Sequence, residues 1–98
     1  MIDQKLIVPQ DKRITRRVLS KYEYTKIVGW RAESITNGAH HDPVPEEIIN
    51  SPIKIAEYEL LHKKLDISVM RPVMRNGKKM YEVFNLFGPN CELEINIL

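Results

Sequence analysis

Apolar positions along this chain recur with two periods, and the change from one to the other divides it. From Ser20 onward, Tyr24, Ile27, Val28, Ala32 and Ile35 fall at helical spacing and give one apolar face. Ser20 stands three residues before Glu23, the capping-box spacing in which each side chain satisfies a backbone N–H at the other's position. Leu19 and Tyr24 are placed to form the accompanying hydrophobic staple. Asn37-Gly38 is a stop, because both residues tolerate the left-handed conformation that ends helices. A second helix is predicted from Ser51-Pro52, a cap residue followed by proline where its missing N–H costs nothing. Ile53, Ala56 and Leu60 share one side of it with Ile55 alongside, and it should end near Lys63-Lys64.

From Leu65 the period shortens. Ile67, Val69 and Arg71 alternate with Ser68 and Met70 until Pro72 interrupts, and Met80, Tyr81, Val83 and Phe84 form a second β-rich run. Asn76-Gly77 between them is a strong hairpin signal. A loop longer than two residues is expected, since Pro72 and the charged flanks weaken pairing near the tip. Residues 38–50, with Pro43 and Pro45, read as a connecting loop long enough to hold a local turn. The opening "KLIVP" reads as an edge strand or extended arm, and Leu93 to Leu98 as a terminal strand. The order predicts an α+β fold: two main helices followed by a small antiparallel β-hairpin. The expected organisation is an N-terminal arm and connector over 1–19 and a single domain over 20–98.

Composition narrows this picture only slightly. A chain of 98 residues makes one small domain, and such a domain buries roughly two-thirds of its unfolded surface. The net charge of +2 is too small to argue for nucleic acid. Its distribution is uneven. Lys12, Arg13, Arg16, Arg17, Lys21, Lys26 and Arg31 face a single acid, Glu23, over residues 12–31, and a second basic stretch covers residues 63–79. Cys91 is the only cysteine, which excludes an intrachain disulfide. With no bilayer-length apolar run and no signal-peptide pattern, the expected location is intracellular, without a membrane partner.

Little in the chain suggests catalysis. His40-His41-Asp42 is the one ligand-like cluster, and only His62 and Cys91 remain to complete it. Glu57 and Glu59 are two apart, so on a helix they point to different sides. No catalytic residue, cofactor or metal site is expected. Nucleic-acid binding has a better motive, in the basic segments and in Tyr22, Tyr24 and Trp30 as stacking groups. Lys21, Lys26 and Arg31 recur every fifth residue, however, which spreads them around the helix instead of along a stripe. A free-standing small basic nucleic-acid-binding protein is therefore the alternative reading. Gly29 is the unusual residue, since a mid-helix glycine costs about 1 kcal/mol relative to alanine. With Ala32 it is expected to form a small-residue patch that another helix or a partner approaches closely. Trp30 beside it is of the type favoured as an interface anchor.

The segment "SKYEYTKIVGWRAESI" resembles the "T-K-Y-E-x-x-x-x-x-G-x-R-A-x-x-I" helix of the omega-type small subunit of DNA-directed RNA polymerases. This family comprises bacterial omega, archaeal subunit K and the common sixth subunit of the eukaryotic nuclear enzymes. "SPIKIAEYELLHKKLDISVMR" is similar to the family's second motif, with Pro52, Ile55, Ala56, Glu59, Leu60, Lys64, Ile67 and Arg71 in place. The resemblance runs from about Ile14 to Phe84. Asp66 and Phe84 depart from it, standing where the family has proline and tryptophan, and the loop at 38–50 is not family-like. The opening "LIVPQDKRIT" most resembles versions encoded by large DNA viruses. The resemblance implies an omega-like fold and a non-catalytic subunit that wraps and stabilises the largest polymerase subunit, near the stalk in eukaryotic-type enzymes. It implies a hetero-oligomer that reaches DNA only through the complex. The location would be the nucleus for a cellular eukaryotic version, and the cytoplasm or virion for a viral one. The expected docking residues are Lys21, Tyr22, Gly29, Trp30, Arg31, Ala32, Pro52, Ala56, Glu59 and Arg71.

Overall fold

The computed structural model describes residues 3–96. Helix α1 spans Lys21–Thr36, helix α2 Pro52–Leu61, strand β1 Ser68–Arg75 and strand β2 Lys78–Asn85. Both helix starts form as the sequence predicts. The Ser20 Oγ accepts the Glu23 N–H at 3.0 Å and the Glu23 carboxylate accepts the Ser20 N–H at 2.9 Å, while Ser51 caps α2 with Pro52 in its first turn. α1 ends in a Schellman motif: Gly38, at φ 98°, donates to the Ile35 carbonyl and Ala39 to that of Ser34. α2 ends at Leu61, slightly before the lysine pair, by the same device. Here Lys63 takes the left-handed position at φ 56°, and Lys64 donates to the Glu59 carbonyl.

The two helices pack against each other, and the antiparallel pair β1–β2 closes the core. Ile27, Val28 and Ala32 of α1 meet Ala56 and Leu60 of α2, with Val69, Phe84 and Leu86 beneath them. Ile53 differs from expectation and is 58% exposed. The buried arc of α2 is centred on Ile55, Ala56, Glu59 and Leu60, and Ile53 lies at its rim in the first turn, where less chain covers it. The connecting loop holds one 3₁₀ turn, Glu46–Ile48.

β1 runs straight through Pro72, which sits opposite Tyr81. The far side of β2 shows how. Val8 N–H donates to the Tyr81 carbonyl at 2.8 Å, so the backbone groups of Tyr81 point toward the N-terminal arm. Pro72, as its antiparallel partner, therefore points its own backbone to the outer edge of β1, and its missing N–H costs no ladder bond. The hairpin turn also has two residues, not more. Arg75 pairs with Lys78, and Asn76 and Gly77 take φ 52° and 75°, the type I′ geometry. The "KLIVP" segment is an arm with a single parallel bridge from Ile7 to Tyr81. The terminal run is likewise reduced to one bridge, Val18 to Glu94, and Ile97 and Leu98 lie outside the described residues.

Candidate docking surface

Three arginine–glutamate pairs fasten the elements together. Arg71 on β1 reaches the first turn of α1, where its Nε and Nη2 donate to the two Glu23 oxygens at 2.8 and 2.9 Å. Its remaining N–H groups reach the Val18 and Arg16 carbonyls and the Thr15 hydroxyl. Glu23 thus caps its own helix and anchors the sheet, and the Arg71 bonds hold its carboxyl below the usual carboxylate range. Arg31 forks onto Glu59 at 2.6 and 2.9 Å, joining α1 to α2, and also donates to the His40 carbonyl at 2.9 Å. Tyr24 adds a second link between the helices through its hydroxyl bond to Glu57. Burial, with that carboxylate, pushes the phenol's pKa up.

The third pair belongs to the arm. Arg13 donates to Glu92 at 2.7 Å and to the Val83 carbonyl at 2.8 Å. Its guanidinium lies 4.4 Å from the centre of the Phe84 ring, and those of Arg71 and Arg17 lie 5.0 and 5.8 Å away. A fully buried phenylalanine is thus covered by cations that favour its negative ring face. Glu82, also fully buried, accepts the Ile14 N–H at 2.8 Å, the Thr15 N–H at 3.2 Å and the Thr15 hydroxyl. Burial alone would raise the Glu82 pKa; those hydrogen bonds, with Arg13 nearby, outweigh it and hold the group below its usual range. Sequence reading missed Arg13, Thr15, Glu82 and Glu92 as a structural unit. The available signal was a glutamate at the inward parity of a strand, between Met80 and Phe84.

The docking candidates divide into two groups. Arg31, Ala32, Ala56, Glu59 and Arg71 are internal: the alanines and Glu59 are buried, and the two arginines are spent on ion pairs. Pro52 is half-buried in the first turn of α2. Gly29 and Ala32 do not form a joint small-residue patch, because Ala32 faces the core while Gly29 is exposed. A Cβ at Gly29 would meet nothing within 4 Å, so its absence makes no room for α2. The outward face of α1 brings together Tyr22, Lys26, Gly29, Trp30 and Glu33, all exposed, with Tyr22 at 70% and Trp30 at 57%. Lys21 lies exposed beside them. The basic segments are also less available than their composition suggests, since Arg13, Arg31 and Arg71 are engaged inside the molecule.

The His40 side chain is exposed and that of His41 half-buried, with its Nδ1 2.9 Å from the Asp42 carbonyl. Among the described residues no cluster of three or more His, Cys, Asp or Glu side chains is arranged to hold a metal, and no helix is long and apolar enough to cross a membrane.

A capped helix pair clamped to a β-hairpin by internal ion pairs, with Tyr22 and Trp30 turned outward on one helix face, makes a small α+β protein. The comparisons with known proteins supply the family. The chain is 36% identical over 83 residues to the DNA-directed RNA polymerase subunit 6 homolog of African swine fever virus, covering 82% of this chain and 54% of that protein. It is 34% identical over 73 residues to the probable DNA-directed RNA polymerases I, II, and III subunit RPABC2 of Caenorhabditis elegans, covering 72% of this chain and 51% of that one. No protein-family model matches the chain. The chain belongs to the omega and subunit 6 family of RNA polymerase subunits, and its relatives include the versions carried by a large DNA virus. It spans about half the length of the curated relatives it matches.

Proposed function

We propose that this chain is a non-catalytic small subunit of a multisubunit DNA-directed RNA polymerase, which wraps and stabilises the largest subunit and promotes assembly of the enzyme. The observation that carries this reading, beyond family membership, is the outward face of α1. Tyr22 and Trp30 stand exposed on either side of the open Gly29, on a helix whose other side is already clamped to α2 and β1. Large exposed aromatics flanking a residue without a side chain suit close approach by another protein. Catalysis then resides in the large subunits, and this chain reaches DNA only through the complex, near the stalk subunits in eukaryotic-type enzymes. Its location follows the polymerase: the nucleus in a cellular eukaryote, the cytoplasm or virion for a virus.

Co-expression with the largest-subunit homologue of the same source, followed by purification through a tag on either chain, tests the proposal. Recovery of both chains together is expected. Failure to co-purify while each is soluble and folded rejects it.

A further inference from the structure

The outer edge of β1 is an unfilled position in the sheet. Because the backbone of Tyr81 faces the arm, Pro72 and the residues of the same parity, Ser68, Met70 and Met74, direct their backbone groups away from β2. None of these groups has a hydrogen-bond partner among the described residues outside the ladder. Beside this edge lies a groove of about 520 Å³ between β1 and the N-terminal half of α1. Tyr22 and Lys26 form one wall, the lysine 5.3 Å from the Tyr22 ring centre, and Met70 and Pro72 form the other. Met70 and Met74 are 45% and 66% exposed, and methionines adapt their shape to varied apolar partners.

Charge selects the occupant. Glu23 is the one acid lining the groove, and it is consumed by Arg71, leaving Lys26 uncompensated. Arg75, Lys78 and Lys79 continue the positive charge along the hairpin toward its tip, and none of them forms an ion pair among the described residues. A second copy of this chain fits badly. Edge-to-edge pairing of two copies would bring like charges together and place two prolines, one from each strand, in a short ladder that a foreign strand would leave with one. We infer that the free edge of β1 receives an extended acidic and apolar segment of the large polymerase subunit as an added strand, held by the outward Met70 and Met74 N–H groups and flanked by Lys26. This rests on the polymerase-subunit reading above and adds the chemistry of the segment and its mode of binding.

Residue-resolved amide hydrogen exchange, on the full chain alone and in the co-purified complex, tests the inference. Met70 and Met74 amides should exchange freely in the isolated chain and gain at least about tenfold protection in the complex. Lys26→Glu, on an exposed side chain, should leave the melting temperature of the isolated chain unchanged and weaken the complex about fivefold to tenfold, an effect that shrinks with salt. A complex that forms without added protection at these two amides overturns strand addition while leaving the subunit reading intact. Absence of any complex overturns both. Protection that appears in the isolated chain as its concentration rises identifies a second copy as the occupant, and protection on adding single-stranded RNA alone identifies nucleic acid; either result rejects the inference.

Discussion

Arg71 and Glu23 meet through two parallel hydrogen bonds, 2.8 and 2.9 Å long, that tie the middle of β1 to the first turn of α1. The same carboxylate accepts the Ser20 N–H in the capping box. One side chain therefore serves a local task, which is visible in sequence, and a tertiary one, which is not.

Removing either partner should cost more than an exposed ion pair is worth, since both side chains are largely shielded from water. Glu23→Ala, which loses cap and clamp together, is expected to lower the stability of the isolated chain by about 2–3 kcal/mol. Arg71→Lys keeps the charge but loses the fork, and should cost about 1–2 kcal/mol. Urea denaturation of the two variants checks this; losses below about 0.5 kcal/mol, the level of a surface pair, would contradict it.

Acid should unfold the protein through its glutamates. Glu23, Glu82 and Glu92 are all held below the ordinary value of 4.5: Glu23 by Arg71, Glu92 by Arg13, and Glu82 by hydrogen bonds that overcome its burial. A folded pKa below the unfolded one means the stabilisation is complete above pH 4.5 and drains away as pH falls through the folded values. Denaturation midpoints should be flat near neutrality and drop steeply below about pH 4.5. In Glu82→Gln the deficit relative to wild type should be largest near neutrality and shrink as the medium is acidified. A deficit independent of pH would show that the Glu82 charge is not what matters.

Gly29 separates folding from assembly. Because a Cβ added there meets nothing within 4 Å, Gly29→Ala should raise the stability of the isolated chain by up to about 1 kcal/mol. Gly29→Leu should also fold, yet co-purify poorly with the largest subunit. If the leucine variant unfolds, Gly29 serves internal packing after all; if it assembles normally, the partner lies elsewhere.

Lys63 carries a strain that glycine would relieve. It holds the left-handed position after α2 at φ 56°, where a side chain costs roughly 1–2 kcal/mol. Part of that is returned by the entropy glycine loses on folding, so Lys63→Gly should gain about 0.5–1 kcal/mol. A calorimetric melt is sufficient to check it, and a lower melting temperature would contradict it.

The parts of the fold that were legible in sequence are those decided within a few residues. The Ser20–Glu23 box, the Ser51-Pro52 start, the Asn37-Gly38 stop and the Asn76-Gly77 turn each satisfy their backbone groups locally, so their residue types announce them. The apolar face of α1 was equally readable. Within the candidate site, Tyr22, Trp30 and Gly29 stand out by residue type, but their common outward direction was not available from spacing alone.

Caps, turns and periodicity are short-range physics, so the elements, their order and their ends could be read directly from the residues. Tertiary structure decided the rest. The Tyr81 carbonyl, which the hairpin register turns away from Pro72, finds its partner in Val8 because the arm, from a distant stretch of the chain, claims the other edge of β2. Ala32 and Arg31 became internal, and Gly29 became surface, through the way α1 rolls against α2 and the sheet. Glu82 is buried as a charge because Ile14 and Thr15 bring it donors from a distant stretch of sequence. Each of these outcomes depends on which distant group arrives to share a hydrogen bond or exclude water, and the pattern of residues near the site does not contain that information.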